Sequence, residues 1–175
     1  MALSSLRQWF NRAETRTPEV SSRQAGPVSP EEQFLMGVEF AGGQRVVRDY
    51  AQAAHWYAQA AEQNHSFAQF NLAMLYGRGQ GVARSEAKSL LWLTRAAKLG
   101  NAAAQYRLGV QRHLSGREGA IGAASEARIE ALKWVRLSAA QGYRGAEGAC
   151  EFVALGMTRE EVAEGGRRAA AFVAG

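Results

Sequence analysis

The stretch "FNLAMLYGRGQGV", Phe70 to Val82, decides between two very different folds for this chain. Its three glycines, Gly77, Gly79 and Gly81, follow an apolar run and precede a helix-like segment, which is the outline of a phosphate-binding loop. A P-loop needs a lysine and a hydroxyl residue directly after its last glycine, but "VARSEAK" follows here. The dinucleotide-binding fingerprint also fails, because its third glycine would fall at Val82. The glycines therefore indicate a turn between two antiparallel helices, and Val82 is expected to fill the gap beneath this turn.

The same stretch belongs to an internal repeat. A shift of 36 residues aligns Trp56 with Trp92 and Leu72 with Leu108, and a further shift of 42 aligns Trp92 with Trp134. The six additional residues of the third copy are expected as a longer loop within Gly116 to Ser125, since closure entropy rises slowly with loop length. The three tryptophans are interpreted as packing residues on the second helix of each copy.

Apolar residues within each copy recur at helical spacing, as at Leu72, Leu75 and Tyr76, so each copy is predicted to form two helices. The predicted fold is all-α: a right-handed α-solenoid of antiparallel helix pairs. Residues 1–29 are predicted to be a mobile tail, residues 30–65, 66–101 and 102–143 to be the repeats, and residues 144–175 to be a degenerate fourth or capping pair.

Helix-capping signals support these boundaries. A polar cap followed three residues later by Glu or Gln is expected at four helix starts, and left-handed turns are expected after three helix ends. The proposed caps are Ser29 with Glu32, Asp49 with Gln52, Ser66 with Gln69, and Thr158 with Glu161, and the left-handed residues are Asn64, Gly100 and Gly142.

The second copy shows a series in which alanine, aromatic, leucine and tyrosine positions precede a Gly-x-Gly-Val turn, a tryptophan, paired alanines and a closing glycine. These positions are held by Ala68, Phe70, Leu72, Tyr76, Gly79, Gly81, Val82, Trp92, Ala96, Ala97 and Gly100. This series resembles the pattern of a Sel-1-like repeat, a relative of the tetratricopeptide repeat. Ala73, Arg45 and Arg112 depart from the pattern, and the third copy is therefore expected to pack less regularly.

Cysteine usage separates the chain from one branch of that family. The secreted, cysteine-rich branch has a disulfide in each repeat and has been linked to penicillin binding, whereas Cys150 is the single cysteine here. That activity is therefore not carried over. Cys150 aligns with Leu72 and Leu108, which predicts a buried, inert thiol.

Composition bounds the remaining function classes. The 175 residues carry a net charge of +5, from 21 basic and 16 acidic side chains, with no block of like charge. Binding of nucleic acid or another polyanion through surface arginines stays an alternative. With no signal-like or membrane-spanning segment, the chain is expected to be cytoplasmic.

No persuasive catalytic constellation is present in the sequence. No pair among His55, His65 and His113 has metal-ligand spacing on one helix, and the paired glutamates lie in first helical turns, where the helix dipole favours negative charge. No cofactor, metal or catalytic residue is predicted, and an enzyme of unknown class is only a remote alternative.

The resemblance implies a non-catalytic adaptor that binds a peptide or helix of another protein on its concave face. In tetratricopeptide relatives the ligand-facing positions flank the core leucine. Carried over by alignment, they fall on Phe70, Asn71, Met74 and Arg78 in the second copy and on Tyr106, Arg107, Val110 and His113 in the third. An alternative left open is that Phe70 and Tyr106 simply pack between repeats.

The two ends of the chain carry separate predictions. Near the start, Leu3, Leu6 and Phe10 lie on one helical stripe, which fits a plain tail, a docking helix or a weak membrane-surface anchor. At the other end, a closing helix is predicted with Val162, Gly166, Ala169 and Val173 on its apolar stripe. Its paired glycines, Gly165 and Gly166, are expected to weaken it.

Overall fold

The protein is seen in a computed structural model, which describes residues 29–116 and 121–174; in these ranges it is entirely helical apart from turns. The predicted tail lies outside the described residues. The described helices are α1 (Pro30–Gly42), α2 (Tyr50–Glu62), α3 (Ser66–Arg78), α4 (Glu86–Lys98), α5 (Ala102–Ser115), α6 (Ile121–Ala140), α7 (Ala146–Ala154) and α8 (Arg159–Ala174).

Successive helices pack as pairs, and the pairs stack. Helix α1 packs on α2, α3 on α4, and α5 on α6, while α2–α3 and α4–α5 contacts join one pair to the next. Each helix buries an apolar face that it cannot cover alone, which is the physical basis of a solenoid. The predicted all-α solenoid of helix pairs is confirmed.

Small residues set the distance between paired helices. A Cβ atom at Gly37 would lie 2.5 Å from the Tyr57 ring, and one at Gly109 would lie 2.6 Å from Val135. The second pair carries Ala73 at this position, in the same core cluster as Leu93. Where Ala73 replaces the family glycine, the residue on the partner helix also differs: it is Leu93, whereas the other two pairs have Tyr57 and Val135.

Most of the predicted capping interactions are confirmed. Ser29 Oγ accepts the Glu32 N–H at 3.2 Å, and the Glu32 carboxylate accepts the Ser29 N–H at 3.0 Å. Thr158 and Glu161 form the same reciprocal pair at the start of α8. Asp49 accepts from the backbone at the start of α2.

The Ser66 cap is wrong. Helix α3 begins at Ser66 itself, and His65 Nδ1 accepts the Ala68 N–H at 3.1 Å as the cap. The His65 ring is held from outside, because its Nε2 lies 2.9 Å from a Glu31 carboxylate oxygen. The predicted left-handed residues are confirmed, with φ of 63° at Asn64, 83° at Gly100 and 70° at Gly142.

The insertion in the third copy lengthens a helix instead of a loop. Helix α4 begins at Glu86, whose equivalent is Arg128, yet α6 begins at Ile121. The prediction of a long loop through Ser125 is therefore wrong. Glu126, on the added turns, and Glu130, just after them, both pair with Arg168 of α8, so the extended helix packs against the C-terminal helix.

The C-terminal helices cap the solenoid through α6. Both α7 and α8 pack mainly on α6. The predicted stripe of α8 is partly wrong, because Val173 is exposed while Phe172 packs with Trp134 at a centroid distance of 5.4 Å. Gly165 is buried with its Cα facing Leu132, where a Cβ would come within 3.0 Å, so this glycine permits close approach of α8.

The tryptophans occupy different environments along the stack. Trp134 is 5% exposed in the core and Trp92 packs between two core clusters, whereas Trp56 is half-buried in the first pair. Cys150 is half-buried in place of the fully buried state predicted, and burial raises the pKa of its thiol. Cys150 packs from α7 against the cluster that contains Leu132 and Val153.

Candidate functional site

A groove runs between α3 and α5, and two cavities form it. The larger, about 800 Å³, lies between the C-terminal half of α3 and the length of α5. Its walls combine apolar side chains with hydroxyl and amide groups. They are Met74, Gly77, Arg78, Ser89, Leu93, Tyr106, Arg107, Val110, Gln111, Leu114, Ser115 and Tyr143.

The smaller cavity, about 320 Å³, lies on the α1–α2 side of α3. Phe70, Asn71 and Tyr57 contribute to its wall. Met74, Arg78 and Arg107 line both cavities, so these three side chains form the ridge between them. The two cavities together are called the α3–α5 groove below.

Seven of the eight residues proposed from the sequence line this groove. They reach it because Phe70, Asn71, Met74 and Arg78 share one face of α3, and Tyr106, Arg107 and Val110 share the matching face of α5. His113 lines neither cavity. Its ring packs edge-on against Phe152 of α7, with centroids 5.0 Å apart.

The sequence left open the alternative that Phe70 and Tyr106 simply pack between repeats, and the structure gives this alternative a mixed outcome. Phe70 packs against the central core cluster and also lines the smaller cavity. Tyr106 contacts Tyr143 at a centroid distance of 5.3 Å and lines the larger cavity. Both side chains therefore make packing contacts and also line the groove.

Several groove residues were missed by sequence reasoning. Leu114 lies four residues after Val110, so the helical period alone could have placed it on the same face. Tyr143 follows the left-handed Gly142 and reaches the groove from the connection between α6 and α7. No local pattern predicts that approach, because it depends on how the third pair ends.

A buried tyrosine contributes a hydroxyl group to the wall of the smaller cavity. Tyr57 is 3% exposed, and burial raises the pKa of its hydroxyl group, with the Asn71 side chain acting in the opposite direction. A neutral phenol therefore faces the groove at physiological pH. The Tyr57 hydroxyl can therefore form hydrogen bonds without carrying a charge at that pH.

The groove is positively charged. Arg78 and Arg107 are exposed, and every charged side chain among the residues that line its cavities is an arginine. Within the described ranges neither arginine has a carboxylate at salt-bridge distance. By contrast, Arg45, Arg84, Arg128, Arg167 and Arg168 each pair with at least one glutamate.

The described residues offer neither a candidate metal site nor a membrane-spanning helix. Across residues 29–116 and 121–174, no group of three or more His, Cys, Asp or Glu side chains is placed to hold a metal ion. Over the same ranges, no helix combines the length and apolar character needed to cross a bilayer.

Comparison with known proteins defines the class. The model of the Sel1 repeat family matches residues 33–65, 66–101 and 102–143. No curated protein matches the chain. An α-solenoid built from three such units, with the helix pairing described above, places the molecule among the helical repeat proteins, and this chain belongs to the Sel1 repeat family.

Two solved structures show the same fold. One is a protective antigen present in uropathogenic Escherichia coli strains and displaying an SLR fold, with 26% identity and a TM-score of 0.63. The match covers 94% of this chain but 33% of the antigen, so the chain spans one third of that protein's length. The other, a Sel1 repeat protein from Oxalobacter formigenes, has 28% identity and a TM-score of 0.60, with 85% of this chain and 98% of that one covered.

Proposed function

We propose that this protein is a non-catalytic adaptor that binds an extended or helical segment of a partner protein in the α3–α5 groove. Sel1 repeat proteins generally serve as scaffolds for protein interactions. The observation that carries the proposal is the convergence of seven aligned positions from two repeats on one open groove of mixed apolar and arginine character.

The size and chemistry of the groove support a peptide ligand. Cavities of about 300 to 1,000 Å³ hold groups as large as several side chains, and apolar walls with a few polar groups are typical of binding sites. Tyrosine, methionine and arginine are enriched at protein interfaces. The pairs on either side hold α3 and α5 in place, so little ordering is needed when a ligand binds.

A site-specific photocrosslinker tests this function. Placed at Val110 in the groove, it is expected to attach to one defined segment of one partner in the native cell, identified by peptide mass spectrometry. The same group at Lys98, an exposed position of α4 outside both cavities, is the matched control. Equal labelling from both positions, or a partner crosslinked only from Lys98, would reject the groove as the binding site.

A further inference from the structure

The charge of the α3–α5 groove restricts the kind of segment it can hold. Arg78 and Arg107 stand on the ridge shared by both cavities, one from each of two neighbouring repeats. No carboxylate pairs with either arginine within the described residues, whereas five of the thirteen arginines in those ranges do have glutamate partners. Both guanidinium groups therefore keep their donors available for a ligand.

The walls on the larger side of that ridge include several apolar side chains. Leu93, Val110 and Leu114 line the larger cavity, and the Tyr106–Tyr143 pair closes one part of it. This surface would gain from covering a large apolar side chain, at roughly 25 cal/mol for each Å² removed from water. The groove thus combines a site for negative charge with an adjacent site for an apolar anchor.

We infer that the partner segment is acidic and amphipathic: it places carboxylates on Arg78 and Arg107 and a leucine or aromatic side chain in the larger cavity. This inference rests on the proposed function and specifies its ligand. Arginine favours such a pairing, because its planar guanidinium group binds a carboxylate through two parallel hydrogen bonds.

Charge argues against two other occupants. Residues 1–28 of this chain carry Arg7, Arg12, Arg16 and Arg23 against Glu14 and Glu19, a net charge of +2, so the groove would repel them. Nucleic acid binding depends on several phosphate contacts, but two arginines supply all the formal charge among the residues that line the cavities. An apolar wall next to those arginines suits a protein side chain better than a phosphate backbone.

Three labelled peptides test the inference directly. Each is a 14-residue glycine–serine peptide with one tryptophan and one leucine, flanked by four glutamates, four glutamines or four lysines. Fluorescence anisotropy with the full-length protein is expected to show binding of the glutamate peptide at least about tenfold tighter than the glutamine peptide. The lysine peptide is expected to bind most weakly, and added salt is expected to weaken the binding of the glutamate peptide.

Charge-reversal variants locate the effect. Arg78→Glu with Arg107→Glu is expected to invert the preference, so that the lysine peptide binds better than the glutamate peptide. Arg159→Glu, an exposed arginine at the start of α8 outside both cavities, is the matched control and should leave the order unchanged. If circular dichroism shows that the double variant is unfolded, Arg78→Gln and Arg107→Gln replace it, with loss of the preference as the expected result.

Several outcomes would overturn the inference. These are equal binding of the three peptides, tighter binding of a labelled 14-nucleotide single strand, displacement of the glutamate peptide by a synthetic peptide of residues 1–28, or a dimer that the double variant abolishes. If the Val110 crosslink succeeds but its target is not acidic, the ligand chemistry is wrong while the proposed function stands. If no crosslink forms from Val110, the proposed function itself fails.

Discussion

At the residue scale, a glutamine ladder explains much of the contact between pairs. Gln69 Nε2 donates to the Ala61 carbonyl at 2.9 Å, and the equivalent Gln105 donates to the Ala97 carbonyl at 3.1 Å. These side chains are almost fully buried, so each amide N–H needs a partner inside the protein. The bond to a carbonyl of the preceding pair therefore favours one position of each pair relative to the next. The sequence repeat shows the glutamines, but their role becomes visible only when the carbonyl they reach is known.

One member of the ladder lacks a partner. Gln63 donates to Gln33 Oε1 and Gln141 donates to Gln105 Oε1, each at 2.8 Å. The equivalent position in the middle pair is Leu99, and Gln69 Oε1 is buried without a hydrogen bond there. An unsatisfied buried acceptor destabilises the folded state.

Leu99→Gln is therefore expected to stabilise the protein by about 1 kcal/mol, because it supplies the missing donor. Leu99 has φ −84° and ψ 14°, close to the −89° and 20° of Gln63, so the new side chain starts from the same backbone geometry. Urea unfolding measures the change. Leu91→Gln, a leucine of α4 with similar exposure, is the control and should give no gain; equal effects at both sites would contradict the ladder.

The position of Gly81 leaves no room for a side chain, whereas the equivalent position in the first pair holds Arg45. Gly81 has φ +69°, and a Cβ atom there would lie 2.1 Å from the carbonyl carbon of Tyr50 at the start of α2. Arg45 holds the equivalent position in the first pair, where no earlier described helix approaches and its side chain is 83% exposed. Among the described residues no such neighbour lies against the first pair, which explains why Arg45 is tolerated there.

Gly81→Ala is expected to lower the free energy of unfolding by at least about 2 kcal/mol, from left-handed strain and a clash with backbone atoms. Thermal and urea unfolding measure the loss. Gly148→Ala on α7, where nothing lies within 4 Å of the added carbon, is the control and should stabilise by about 0.5–1 kcal/mol. A small effect at Gly81 would show that the loop can move away from α2.

At the element scale, the extension of α6 explains how the C-terminal cap is held. Glu161 of α8 accepts hydrogen bonds from Ser125 Oγ and, at 3.0 Å, from Arg128. Ser125 lies on turns of α6 that the first two pairs do not have, and Arg128 lies where the second helices of those pairs begin. Sequence comparison located the insertion correctly but not its form, because helix extension depends on having α8 to pack against.

The same contacts make the cap sensitive to acid. Hydrogen bonds from Ser125, and next from the Thr158 backbone N–H, lower the pKa of Glu161 from 4.5. Pairing with Arg168 lowers the pKa of Glu126 in the same direction. Because the folded pKa lies below the unfolded one, this stability is present above about pH 4.5 and is lost as the pH falls through the folded value.

Glu161→Gln is expected to lower the free energy of unfolding at pH 7. The difference in this free energy between the variant and the parent protein is expected to shrink as the pH falls below about 4.5. Urea unfolding between pH 7 and pH 3 measures both effects. Glu160→Gln, one residue away with no hydrogen bond from α6 in the described ranges, should follow the parent curve. A difference between parent and Glu161→Gln that stays constant across this range would show that its charge contributes nothing.

At the scale of the whole molecule, the two ends of the stack are unequal. Leu72 and Leu108 are each 1% exposed, because the second helix of the preceding pair covers them, whereas the equivalent Met36 is 36% exposed. At the other end, α8 buries Ala169 against the cluster that contains Trp134 and Leu137. Repeat proteins are stabilised by such contacts between neighbours, so the end whose core position is more exposed is expected to be the less stable one.

Hydrogen exchange is expected to show this gradient. Amides of α1 should exchange fastest among the first six helices, and amides of α3, α4 and α5 slowest, because the central pair has neighbours on both sides. Native-state exchange followed by mass spectrometry measures the order. Removal of residues 156–175 is expected to speed exchange in α6 while leaving α1 unchanged, and uniform acceleration along the chain would contradict nearest-neighbour stability.

The groove itself shows where sequence reasoning ends. Helical spacing put Phe70, Met74 and Arg78 on one face, and the repeat put Tyr106 and Val110 on its counterpart. Periodicity could not show that His113 turns toward Phe152 or that Tyr143 enters the groove. Those positions depend on contacts with α7 and with the connection before it, which lie outside the regular repeat.

The sequence by itself determined the helix pairs, their order and most of their caps, because helical period, capping side chains and left-handed residues are local properties that the repeat presents more than once. Only the tertiary structure decided the form of the insertion, the approach of α8 at Gly165, the partner that Gln69 lacks and the wall contributed by Tyr143. Each of these depends on which atoms of a distant segment fill the space next to a residue, and the spacing of residues along the chain does not predict those contacts.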